Sequence, residues 1–136
     1  MKALMSVEQA REEVEGFRDN LGRAMDVKIR KMVIGLRRWG VKTTMSCEGH
    51  YFHGYQFPWV DINPESLPLA ATLLMLNYRR KPRGKPFWVI EPMAEPRIRT
   101  LKEGWLRLPY LKKEAERFGI FLQELPDSYL EEEKGA

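Results

Sequence analysis

The chain's only cysteine, Cys47, stands three residues before one of its only two histidines, His50, and six before the other, His53. All three fall in the stretch TTMSCEGHYFHGY, residues 43–55. Thiolate, imidazole and carboxylate make up the zinc ligand set, so Cys47, His50 and His53, with Glu48 or Asp61 nearby, could hold a divalent metal such as zinc. A metal held this way would suit a hydrolase-like site. The same residues allow a thiol nucleophile activated by His50 or His53, since the thiolate is the reactive form and a neighbouring histidine can supply it. A third chemistry uses the polar groups beside the thiol. Here Glu48 and His50 are the catalytic candidates, with Thr44, Ser46, Gly49, His53 and Asp61 as ligand contacts. Gly49 would let a ligand approach the backbone. Against all three stands a structural role, in which the polar side chains satisfy a tight turn and Cys47 packs.

Charge supports a ligand of a particular kind. The net charge is only +4, yet residues 27–47 and 66–90 contain no Asp or Glu and carry six and five basic residues, so the rest of the chain is net acidic. Such asymmetry favours an anionic small molecule or a nucleic acid on one face, with Arg37 and Arg38 as its contacts near the motif. The aromatics Tyr51, Phe52, Tyr55, Phe57 and Trp59 add rings on which bases could stack, although hairpin packing uses the same residues.

These residues need elements to position them. Ser6 followed by Gln9 reads as a capping box, and Val7, Ala10, Val14, Phe17 and Leu21 continue an amphipathic helix to about Gly22. A second helix opens after Asp26 as its cap, buries Ile29, Met32, Val33, Leu36 and Trp39, and stops at Gly40. From Val41 the period becomes two, which predicts a strand with Val41, Thr43, Met45 and Cys47 on its core face and Thr44 and Ser46 opposite. A return strand follows at 57–62, in which Asp61 alternates with Val60 and Ile62 and should leave the core. Residues 63–80 read as a third helix, apolar on most sides over 67–76, hence deeply buried or forming a homodimer contact. Two more strands, FWVIE and RIRTL, precede a last amphipathic helix from about Leu108 to Leu125, interrupted at Gly119. The order ααββαββα predicts an α+β fold, a two-layer sandwich on a mainly antiparallel sheet of about four strands.

The bulk properties set outer bounds. A chain of 136 residues with 43% hydrophobic and 31% charged residues fits one globular domain, with the acidic tail 131–136 at its end. A lone cysteine excludes an internal disulfide framework. The opening MKALMSVEQA has no apolar signal core, and the run 67–76 is too short to span a bilayer, so the expected address is the cytoplasm with no membrane role.

Two resemblances attach to the motif. A helix ending in Gly, then VKTTMSCEGH, a loop and PWVDI, over about residues 26–62, resembles a set of small bacterial and phage-associated proteins that share T-x-x-S-C-E-G-H and have no assigned activity. Thr43, Thr44, Ser46, Cys47 and Gly49 also match the T-T-S-S-C-S-G-R strand of the wybutosine-synthesising tRNA methyltransferase family, whereas Met45, Glu48 and His50 depart from it. That second likeness implies RNA or a nucleotide-like ligand.

Overall fold

The computed structural model describes residues 2–18, 22, 25–50, 54–80 and 87–128. Among these residues four helices and a four-stranded antiparallel sheet form the α+β arrangement that the pattern predicts. Helix α1 (Val7–Glu15) and helix α2 (Val27–Arg38) lead into strands β1 (Thr43–Cys47) and β2 (Trp59–Ile62). A short 3-10 turn at Pro64–Ser66 opens α3 (Leu67–Arg80), and β3 (Trp88–Glu91), β4 (Arg97–Thr100) and α4 (Leu108–Glu124) follow. The strand order is β1-β2-β4-β3, with every neighbouring pair antiparallel.

Helix α1 begins on the Ser6–Gln9 capping box, with both reciprocal bonds formed. It ends at Glu15 rather than near Gly22, because the chain turns at Gly16 and Phe17 instead lies beneath the Arg37 guanidinium, 4.5 Å from its ring centroid. Leu21 lies outside the described residues. Helix α2 buries the expected Ile29, Met32, Val33, Leu36 and the adjoining Trp39, and Gly40 takes a positive φ of 100° just beyond it.

The core is organised by the crossing of α2 and α4. Leu108, Leu111, Ala115, Phe118 and Leu122 form a continuous buried stripe on α4, and Gly119 does not interrupt the helix. Gly119 instead marks the point of closest approach. A β-carbon there would lie 2.3 Å from the Lys31 carbonyl carbon and 2.4 Å from the Met32 nitrogen. On the other helix, a β-carbon at Gly35 would lie 2.6 Å from Leu122 Cβ. Missing side chains on both helices thus let the two backbones touch, and the periodic pattern cannot distinguish this use of glycine from a break.

The sheet face toward the helices carries Val60, Ile62, Ile98 and Thr100, all buried. Its partner face carries Trp59, Asp61, Arg97 and Arg99, through the pairs Trp59↔Arg99 and Asp61↔Arg97. Asp61 therefore leaves the helix-packed core as expected, but not toward solvent. Its two oxygens accept bonds of 2.7 and 3.0 Å from Arg97, and both side chains are buried. The Arg97 guanidinium also lies 4.2 Å from the Trp59 ring centroid and 4.8 Å from that of Tyr55. The aromatic residues after the motif thus cover this ion pair.

Strand β1 departs from simple alternation. Its register shifts between Thr43, paired with Ile62, and Met45, paired with Asp61. An extra residue in one strand reverses the parity of all that follows. Thr43 therefore points into the core, Met45 is 64% exposed, and Cys47, opposite Trp59, leaves the face on which Val41 and Thr43 are buried. Helix α3 is not buried all round within the chain: it packs through Ala70, Leu73 and Leu76, whereas Leu67 and Met75 stay exposed.

The crossing generates a stability prediction with a counterintuitive sign. In an isolated helix Gly→Ala gains about 1 kcal/mol. Gly119→Ala should instead destabilise this protein by about 2–3 kcal/mol, the usual cost of forcing a methyl group into a closed contact. A shift of the urea midpoint to higher concentration would show that the helices do not touch there.

Candidate metal centre

The motif is positioned by an exchange of backbone and carboxylate groups between the end of β1 and the start of α2. Asp26 occupies the N-cap position of α2 but makes no cap bond with its own helix. Its Oδ2 instead accepts the Glu48 backbone N–H at 3.3 Å, while Glu48 Oε2 accepts the Lys28 backbone N–H at 3.2 Å. Glu48 thus caps a helix that starts about twenty residues earlier, where an orphan N–H and the positive end of the helix dipole both favour a carboxylate. Its other oxygen accepts a bond from Lys112 Nζ of α4 at 3.4 Å.

Gly49 then turns the chain. Its φ is 99°, and a β-carbon would lie 2.7 Å from Leu108 Cδ1 and 3.0 Å from the Phe57 carbonyl carbon and oxygen. The backbone approach anticipated for a ligand is occupied by the protein itself. The His50 N–H donates to the Tyr55 carbonyl at 3.0 Å, which closes the loop and fixes the histidine beside the strand end.

Asp26, Cys47 and His50 converge as a result. Each offers one ligand atom, all within 4.8 Å of one another, and all three residues are half-buried. Burial pushes the Cys47 thiol above its ordinary value, and the Asp26 and Glu48 carboxylates push it the same way, against the Gly49 N–H that hydrogen-bonds the sulfur. This is the opposite of an activated nucleophile, which needs cationic neighbours. It is a suitable field for a cation, whose charge would reverse the effect of the carboxylates and hold the thiol as thiolate.

Of the residues singled out in the sequence, Cys47, Glu48, Gly49 and His50 are brought together. Thr44 is exposed and donates to Glu95 at 2.8 Å, and Ser46 is half-buried opposite Val60. Asp61 is committed to Arg97. Arg37 and Arg38 end α2, roughly 16 Å of helical rise from Asp26 at its start. Arg37 bonds Thr43 and pairs with Glu13, and Arg38 is buried against the Leu122 carbonyl and Asp127. His53 lies outside the described residues. Asp26 was legible only as a helix cap, because its separation from Cys47 falls outside any local ligand spacing.

No family model matches the chain, and no curated protein or solved structure matches it either.

The electrostatics predict the reactivity of the metal-free thiol. Alkylation of Cys47 by iodoacetamide should be slower at pH 7.5 than that of an exposed thiol, and its midpoint should lie above about 8.5, the ordinary thiol value. The sign follows from burial and anionic neighbours, which both favour the protonated form. A midpoint below neutrality would restore the nucleophile reading.

Proposed function

We propose that this protein binds a divalent transition metal of the zinc class through the Asp26 carboxylate, the Cys47 thiolate and the His50 imidazole. The observation that carries this reading is the meeting of one oxygen, one sulfur and one nitrogen donor from two separate elements within 4.8 Å. Zinc–ligand bonds of about 2.0–2.3 Å in tetrahedral geometry set donor atoms about 3.3–3.7 Å apart, so roughly an ångström of side-chain adjustment closes the site.

Three protein ligands leave a fourth position, and a metal bound in that way supplies a polarised water for hydrolytic chemistry. The chain's own groups have separate tasks. Cys47 loses its proton as the metal binds, and Asp26 exchanges part of its bond with the Glu48 N–H for coordination. Glu48, held by the Lys28 N–H and Lys112, adds negative charge without needing to ligate. The disposition of the basic residues favours a cation here over an anion. Of the six basic residues in 27–47, five face carboxylates, Lys28 and Lys31 toward Glu116, Arg37 toward Glu13, Arg38 toward Asp127 and Lys42 toward Glu65, while Arg30 donates to the Met25 carbonyl.

The test is titration of chelator-stripped, tag-free protein with cobalt(II) or zinc. One ion per chain should bind, with thiolate-to-cobalt charge-transfer absorption. Cys47→Ser and His50→Ala should each weaken binding by about 100-fold or more, beyond what loss of a supporting contact costs. Affinity should rise with pH up to the thiol pKa, by about tenfold per unit, because one proton leaves with each metal bound. Absence of binding at micromolar metal, or binding indifferent to both variants, would refute the proposal.

A further inference from the structure

The end of the molecule that carries Cys47 also collects the most exposed aromatic residues among those described. Strand β1 ends there and β2 begins, while Thr100 at the end of β4 pairs with Trp88 at the start of β3. Helices α2 and α4 both start there, since Lys28 and Lys112 reach the same Glu48. The connecting loops are consequently side by side. The Gly104 N–H donates to the Gln56 carbonyl at 3.2 Å and the Leu101 N–H to the Phe87 carbonyl at 2.8 Å. The Phe87 ring lies 5.9 Å from that of Tyr110. A rim thus runs across the sheet end from Tyr55, past Gly104 and Trp105, to Tyr110 and Phe87.

On this rim Trp105 is 59% exposed, Tyr55 48% and Tyr110 45%. Tyr55 packs in part on Phe57 and Tyr110 on Phe87, yet nearly half of each stays exposed on the same rim as Trp105, and large apolar surfaces exposed together mark an interaction surface. Cations are interleaved with them. Lys102, Arg107 and Lys113 are exposed and form no ion pair among the described residues. Of the acidic residues at this end, Glu103 is engaged by Arg99 and Glu48 by Lys112.

We propose that this rim binds single-stranded nucleic acid, with bases stacked on Tyr55, Trp105 and Tyr110 and phosphates met by Lys102, Arg107 and Lys113. Unpaired bases offer π-faces to aromatic side chains while the backbone tracks positive charge, and both features are present in alternation here. A duplex hides its base faces. A bilayer would select a contiguous apolar cap; Leu101 and Leu106 are exposed here too, but Lys102, Arg107 and Lys113 alternate with the apolar residues along the chain, which suits a polyanion. The inference does not rest on the metal reading, and chelator-stripped protein should bind the oligonucleotide as tightly as untreated protein.

The experiment is fluorescence anisotropy of the full chain with a labelled oligouridylate of about 12 nucleotides. Binding should be seen at about 50 mM salt and fall steeply by about 200 mM. A Trp105→Ala variant, whose altered side chain is exposed, should lose about tenfold in affinity from lost stacking. A Lys102→Ala/Arg107→Ala variant should reduce the log–log salt slope by about 1.4, the single-strand value for two phosphate contacts. The proposal fails if no binding occurs at about 50 mM salt, if the aromatic variant binds as tightly as the parent, or if a matched duplex competes equally. It fails also if the protein sediments with phosphatidylserine vesicles but leaves the oligonucleotide free. Should the aromatic variant not fold, an unchanged salt slope in the lysine–arginine variant would overturn it alone.

Discussion

Contact between the backbones of α2 and α4, made where Gly35 and Gly119 carry no side chain, fixes nearly everything else about this molecule. It sets the two helices at a separation that any β-carbon would enlarge, and so sets where their N-termini lie. The start of α2 bears Asp26, and the start of α4 bears Leu108 and Lys112. Those groups meet the loop after β1, Leu108 against Gly49 and Lys112 against Glu48. Moving one helix outward would separate Asp26 from Cys47 and His50 without changing any residue of the motif. A packing constraint in the core thereby becomes a distance constraint at the candidate site.

The exchange between Asp26 and Glu48 translates helix position into side-chain position. Each carboxylate accepts the backbone N–H of the other's segment, so the start of α2 and the end of β1 are satisfied reciprocally. A helix cap is worth about 1 kcal/mol, enough to favour one loop conformation but not to dominate stability. The arrangement also concentrates negative charge around Cys47. The same two carboxylates that hold the loop disfavour the free thiolate and suit a bound cation, so architecture and chemistry share the same atoms.

On the far side of the sheet a buried ion pair takes the place of a second hydrophobic layer. Asp61 and Arg97 form a bidentate pair under Trp59 and Tyr55, and removing one partner of such a pair typically costs about 3–5 kcal/mol because the other charge is left buried. Arg99, lying 3.7 Å from the Phe57 ring centroid and paired with Glu91 and Glu103, extends the arrangement. These contacts anchor the aromatic loop on which the proposed nucleic-acid rim depends.

Much of this was legible in the chain. Apolar periodicity located all four helices and the strands, and the Ser6–Gln9 capping box, the stripe of α4 and the stop at Gly40 follow from short-range rules that depend only on neighbouring residues. Cys47, Glu48, Gly49 and His50 were recognisable as a unit because they are contiguous. Tertiary structure decided the rest, for identifiable reasons. The bulge in β1 reversed the facing of Met45 and Cys47, since an extra residue in a strand is defined only by its partner. Asp61 became buried because Arg97, thirty-six positions away in the chain, pairs with it. Gly119 became a contact rather than a break because α2 lies against it. Asp26, a cap by local pattern, joined Cys47 and His50 through contacts that no spacing rule spans. The sequence by itself determined the elements and the chemical types available, because those depend on local geometry and composition; only the packing of distant segments decided which groups meet.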